Sequence, residues 1–538
     1  MGKRSATFEA NLSLLMERFP RLALLAPTWP RGPTHLEELK APNPGKAEAL
    51  YIYGMGGGAP YFQLKPWLRE NGGRKLIFLE DDPSHFSSWL FEDTAKELLS
   101  DPQVHLTLLS SREDIQFLAE MFPLKRVEIL SLPSRKGSRF RSLKLQLLRK
   151  TTLSHALYIE RIHGYQPVQN FVRNLEQMPH SFFANRLQGA FKGVPAIVCG
   201  AGPSLQHAIP QLKTLTNQAL LIAGGSTLAA LSSQGILPHF GVAIDPNLEE
   251  YRRMKNSFAF EVPLLYSTRV FPSIFQTCNG PFGYMRSGIG GLLEVWMEEE
   301  LGLMDPMIGE HLSPESISVT AICTAWAEFL GCNPILFSGV DLAYTGNKRY
   351  AAGVMEEGET PFAALDAEKS AADRILKRKD RKGQPIYTAV RWIMEAASLS
   401  HYARKHKDIQ FINTTDGGLG FKKVPFISLS EAATKYLTRS SDLYRQVHEQ
   451  IVQAAMPAHT QDLIGQKMKE LRASLDQIIY HLEILSGKKE GSKPLAELEL
   501  QDEMAMPYLF YDIHHLFSQE DKWSRFLDLA LKYKISLS

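Results

Sequence analysis

Short apolar runs that stop abruptly in glycine, aspartate or serine recur along this chain, and they restrict its fold more than any other feature. The clearest is AIVCGAGPSL, Ala196 to Leu205, where four apolar residues run into a glycine turn and then a helix start. Runs this short and this uniformly apolar read as strands buried on both faces, the pattern of a parallel sheet under helices.

Two series of such runs are present. In residues 1–150, ALYIY, KLIFLE, VHLTLL and VEILS alternate with helical segments, which predicts an N-terminal Rossmann-like α/β domain. The basic stretch Arg135–Lys150 carries leucines at helical spacing, so its charges are expected on a solvated helix face. A central α/β domain is expected over 151–430, with strands at Ala196–Cys199, Ala219–Ala223, Phe240–Ile244, Pro263–Ser267 and Pro334–Ser338. Helices fit at Ser204–Leu215, Thr227–Gln234 and Val319–Leu330, the last followed by the stop signal Gly331. The charged segment Glu368–Pro385 reads as a mobile loop or lid, and IQFIN as a last strand before TTDGGLG. Residues 431–538 read as a separate helical C-terminal domain. There Met468, Leu471, Leu475, Ile478, Leu482 and Leu485 keep the three-four spacing of a packed seam.

Composition narrows the function classes. At 538 residues two to four domains are expected. Sixty Lys and Arg against 58 Asp and Glu leave no global field for gripping nucleic acid. No apolar run of about 18 residues is present, so no membrane span is expected. Cys199, Cys278, Cys323 and Cys332 form no CxxC pair and no zinc set, which suits a reducing cytoplasm and predicts no metal site. Self-association through the helical tail is left open.

The chemistry concentrates at strand ends. In CGAGPSL, Gly200 and Gly202 allow close backbone approach, Pro203 suits a first helical turn, and Ser204 and Leu205 open the helix. Bare amides at such a turn would hold a phosphate, hence a nucleotide. Gly225 and Ser226 follow the next strand, and Asp245 ends the third. Gly339, Asp341 and Tyr344 follow a later one. Ligands of open α/β sheets bind outside such carboxyl ends, although Asp245 and Asp341 also read as turn or helix caps.

GAGPSL, the run AGGS…GILPHFGVAIDP, the segment SVTAICTAWAEFLGCNPILFSGVDLAYTG and the later INTTDGG together resemble the motility accessory factor (Maf) proteins over Phe191 to about Phe421. Their central domain is named for archaeal 6-hydroxymethylpterin diphosphokinases and is similar to bacterial sialyltransferases. The resemblance implies an N-terminal Rossmann-like domain, a sialyltransferase-like centre and a helical C-terminal domain. It also implies transfer of a nonulosonic (sialic-acid-like) sugar from a CMP-sugar to a hydroxyl, Ser or Thr of a protein such as flagellin. Carried over by position, Gly200, Gly202, Pro203, Ser204 and Leu205 match the nucleotide loop, and Gly339, Asp341 and Tyr344 the segment beside it. Asn413, Gly417 and Gly418 match a substrate-side loop. The match departs at the base: between Asp341 and His401 there is no histidine. That leaves Asp245, Asp341 and His401 as catalytic candidates, with His239 and His311 no better placed. The rival readings are an ATP- and Mg-dependent diphosphokinase, for which Asp245 is the lone carboxylate of AIDPN, and a non-catalytic nucleotide-binding or interaction protein.

In the N-terminal domain, IYGMGGGAP with Glu80 some 25 residues on resembles a dinucleotide fingerprint. Gly54, Gly56, Gly58 and Glu80 are its cofactor candidates, Glu80 for ribose hydroxyls.

Overall fold

The computed structural model describes residues 6–33, 35–162, 165–255, 257–312, 318–354, 370–510 and 521–537. The chain is mixed α/β with parallel sheets and a helical C-terminal region, and it divides into two compact units. One comprises 1–160 with 361–376 and 389–391; the other comprises 161–360, 377–388 and 392–538.

In the first unit, β1 (Ala49–Tyr53), β2 (Lys75–Glu80), β3 (Val104–Leu108) and β4 (Val127–Ser131) form a parallel sheet in the order β3-β2-β1-β4. Leu50 and Ile52 of β1 pack on one face with Leu76 and Phe78 of β2. The basic stretch becomes the helix Ser138–Ile162, preceded by a short turn at Pro133–Arg135. Its charges are not all solvated, because Lys144 pairs with Glu128 at 3.1 Å and Arg135 and Arg139 pair with Asp81. The later chain joins this unit through Arg374, whose guanidinium donates to Glu128 at 2.7 Å and to the Val127 carbonyl at 2.8 Å.

The second unit is built on eight parallel strands. These are β5 (Phe182–Phe183), β6 (Ala196–Cys199), β7 (Leu220–Gly224), β8 (Phe240–Ala243), β9 (Leu264–Tyr266), β10 (Phe282–Tyr284), β11 (Ile335–Ser338) and a final strand, β14 (Phe411–Asn413). Their order is β14-β11-β6-β7-β8-β9-β10-β5. Side chains alternate between two cores: Ile197, Leu221 and Leu336 face one, Val198, Ile222 and Phe337 the other. The second core includes Ile322, Ala325 and Trp326 of the helix Val319–Phe329. Between β11 and β14 lie β12 (Ile375–Lys379) and β13 (Pro385–Ala389), a two-stranded sheet. The expected loop or lid at 368–385 is therefore corrected over its described part. Asp380 and Gln384 close its turn, the Asp380 amide donating to the Gln384 carbonyl at 2.8 Å.

The helical tail is not a separate compact unit, so the boundary expected at 430/431 does not divide the molecule. Met468, Leu471, Leu475, Ile478, Leu482 and Leu485, on the helix Thr460–Leu485, are all buried in the same core as Ile197 and Leu221. The helix packs chiefly against the helices Lys493–Asp502 and Lys522–Leu537, which complete that core. A chain ended at residue 430 would lose these helices and leave the apolar residues that share their core open to water. We expect it to bind a hydrophobic dye and to lack a cooperative melt, as differential scanning fluorimetry would show.

The four cysteines are free. Among the described residues no helix is long and apolar enough to cross a membrane.

Candidate functional site

The first sheet reverses its strand order at β1 and the second at β6. In the second unit β7 to β10 extend to one side of β6, whereas β11 and β14 lie on the other. The crevice between the carboxyl ends of β6 and β11 is thus the topological switch point, where open α/β sheets bind ligands. The loops Gly200–Ser204 and Gly339–Tyr344 meet there.

Asp341 holds them together. Its side chain is buried at 1 % exposure, accepts the Ser204 amide at 3.2 Å, and accepts the Ser204 hydroxyl. The loop amides are engaged elsewhere too: Gly200 donates to the Ser338 carbonyl and Gly202 to the Gly339 carbonyl, each at 2.8 Å. The expectation of a row of bare amides is corrected accordingly; the anion that this turn holds is the chain's own carboxylate. The glycines have the same explanation. A Cβ on Gly202 would collide with the Asp341 carboxylate, whose carbon lies 2.6 Å from it. One on Gly339, at φ +68°, would meet the Gly200 carbonyl oxygen at 2.5 Å.

The third segment arrives from β14. The Leu419 amide donates to the Asp341 carbonyl at 2.8 Å, and Gly418, at φ +77°, lies against that backbone. Gly417 faces the Asp341 carboxylate and Thr345. Asn413 is buried and its side-chain oxygen accepts the Thr415 amide at 3.0 Å, which shapes the turn. Tyr344 is buried with its ring 4.9 Å from that of Trp392. Burial pushes the Asp341 carboxyl up, while Ser204, Thr345 and the charge of a protonated His207 pull it down.

His207 is the residue that the sequence reading missed. It lies on the first turn of the helix Leu205–Leu212, is exposed, and is within electrostatic reach of Asp341. Its signal was available, three residues beyond Ser204, but a search for a histidine downstream of Asp341 passes over it.

The other candidates are less central. Gly225, at φ +51°, and Ser226 end β7 and start the helix Ser226–Ser232. Asp245, just beyond β8, accepts both the main-chain amide and the side-chain nitrogen of Asn247, so it forms a turn cap. His401 is exposed on the helix Val390–Lys405 and pairs with Arg404 at 2.9 Å. His239 is buried, accepting the Leu221 amide through Nδ1. Among the described residues no three His, Cys, Asp or Glu gather into a metal-binding group.

A second polar cluster lies beyond β9 and β10, on the helix Leu292–Glu300. The Tyr284 hydroxyl lies 2.6 Å from Glu298 and 3.2 Å from Glu294. Arg286 Nε donates to Glu298 at 3.0 Å, and the Thr268 amide donates to Glu294 at 3.0 Å. Burial, with the charge of Glu294 added, pushes Glu298 up to about 8. Burial also raises Glu294.

In the first unit, Glu80 does for its glycine loop what Asp341 does for the other. It accepts the amides of Met55, Asp81 and Asp82 at 3.1, 2.9 and 3.0 Å, and Arg135 at 2.7 Å. Gly54 and Gly58, at φ +102° and +84°, pack against Leu132 and Trp89. Burial raises the Glu80 carboxyl against the pull of Arg135 and these amides.

Residues 169–347 match the family described as 6-hydroxymethylpterin diphosphokinase MptE-like, a span that includes both Gly200–Leu205 and Gly339–Tyr344. Among solved structures, the Maf glycosyltransferase from Magnetospirillum magneticum AMB-1 aligns over 98% of this chain and 91% of its own. Its TM-score is 0.46 and its identity 14%. A comparison with curated proteins finds no match.

Proposed function

We propose that the second unit binds an activated nucleotide sugar over the crevice between β6 and β11 and passes the sugar to a hydroxyl, as a glycosyltransferase-like protein. The supporting observation is the convergence of Gly200–Ser204, Gly339–Thr345 and Gly417–Gly418 on one buried carboxylate at the switch point, with His207 nearby. Asp341 makes the crevice a rigid floor, and the ligand lies on it rather than in the turn. The donor class that we assign is a CMP-linked nonulosonic sugar, and the acceptor a Ser or Thr hydroxyl of a protein such as flagellin. Such a donor carries its own leaving phosphate. The acceptor oxygen bonds to the anomeric carbon, the bond to phosphate breaks, and His207 takes the hydroxyl proton.

With CMP present, the full chain is expected to melt at higher temperature; a ligand at a hundred times its Kd adds about 2.7 kcal/mol. His207→Ala should leave that shift intact and lower kcat by about 10²–10⁴. A variant with unchanged turnover removes His207 from the chemistry. The family description favours one other reading, an ATP-dependent diphosphokinase. Stabilisation by ATP with Mg and none by CMP is the outcome that selects it. Stabilisation by CMP without turnover selects a binding protein.

A further inference from the structure

The first unit contains a cavity of about 350 Å³ beside the carboxyl ends of β1, β2 and β4. Gly56 and Gly57, at φ +52° and +59°, line it, and among the described residues no protein acceptor reaches either amide. Glu37 lines it from the N-terminal segment. It is anchored by the Ser134 amide at 2.7 Å and by the Ser134 hydroxyl, and its carboxylate keeps further acceptor capacity. His85 lines it as well. Arginine only donates, so His85 Nδ1, 2.8 Å from Arg135 Nη2, is an acceptor and its Nε2–H is left to donate.

Size and charge narrow the ligand. A cavity at the lower end of the usual 300–1,000 Å³ range suits one ring compound rather than a dinucleotide. Glu37, Glu80 and the neighbouring Asp81 set three carboxylates against Arg135 and Arg139, which are committed to Glu80 and Asp81, so a phosphate or carboxylate would still meet net negative charge. Glu80 already accepts three main-chain amides and Arg135 and is 1 % exposed, so Glu37 is the more available carboxylate. Two free amides beside a carboxylate with acceptor capacity complement a pair of adjacent hydroxyls, each of which accepts one hydrogen bond and donates another.

We propose that this cavity binds an uncharged compound of single-nucleoside size, its vicinal diol held between Glu37 and the amides of Gly56 and Gly57. The site is independent of the one proposed for the second unit. Calorimetric titration of the full chain with adenosine, cytidine, guanosine and uridine, and with the 2′,3′-dideoxy form of each binder, tests it. At least one nucleoside should bind one-to-one, and its dideoxy form about tenfold more weakly or worse. Glu37→Gln and Ser134→Trp should each weaken binding by about tenfold or more. Ser134 is exposed, so its replacement fills the cavity mouth without entering the core. Four results would overturn the proposal: no nucleoside binding at millimolar concentration, equal binding of the dideoxy form, tighter binding of NAD or AMP, or binding that both variants leave unchanged.

Discussion

Gly202→Ala should destabilise the second unit by about 3 kcal/mol, the upper end of the overpacking range. The added methyl group would occupy the place of the Asp341 carboxylate, which is fixed by Ser204 and enclosed by Gly417 and Thr345. Either the carboxylate leaves, stranding the Ser204 amide, or the β6 and β11 loops separate. Asp341→Ala strands that amide by itself and should cost about 2 kcal/mol. The double variant is the informative one. If the clash is with Asp341, Gly202→Ala adds little once Asp341 is Ala, and the two losses are strongly non-additive. Urea denaturation of the four proteins measures this. Simple addition would mean that Gly202 is required for some other reason.

Glu298→Gln should change how stability depends on pH. The folded carboxyl is pushed up to about 8, against about 4.3 for an unperturbed glutamate. The native state therefore holds a proton that the unfolded chain releases. That contribution is complete below about pH 4.3 and is lost as pH rises through about 8. Each pH unit in that window is worth at most about 1.4 kcal/mol, so a loss on the order of a few kcal/mol is expected. Glutamine cannot titrate, so the difference in stability between wild type and Glu298→Gln should slope across pH 5–8. Chemical denaturation at several pH values reads that slope. A constant difference would mean that Glu298 stays ionised beside Arg286.

The strands that form both sheets were legible because burial on two faces demands uninterrupted apolar runs, as in β6, β7 and β11. Two were missed, β5 with two residues and β10 with three; the equally short β9 and β14 were found because they lie inside the longer stretches PLLYS and IQFIN. The β12–β13 pair was hidden for a different reason. Most of its residues are partly or wholly exposed, so ILKRK carries charge instead of alternation. The C-terminal seam was read correctly as packed between helices, although a helical stripe does not say which ones. At the site, the glycine positions and strand ends were visible. The partner of the glycine turn was not, because Ser204 and Asp341 are 137 residues apart and only the strand order brings them together. The same holds for Met55 and Glu80, where an acid 25 residues downstream suits a ribose ligand and a structural anchor equally well.

A nucleotide lying on the floor made by Asp341 and the three loops around it would shield the amides of those loops. Hydrogen exchange of the full chain with and without CMP tests that placement most directly. Slowed exchange is expected only at residues 200–207, 339–345 and 415–419, with 54–58 and 80–85 unchanged. Protection only at the N-terminal glycine loop, or at neither loop, would contradict it.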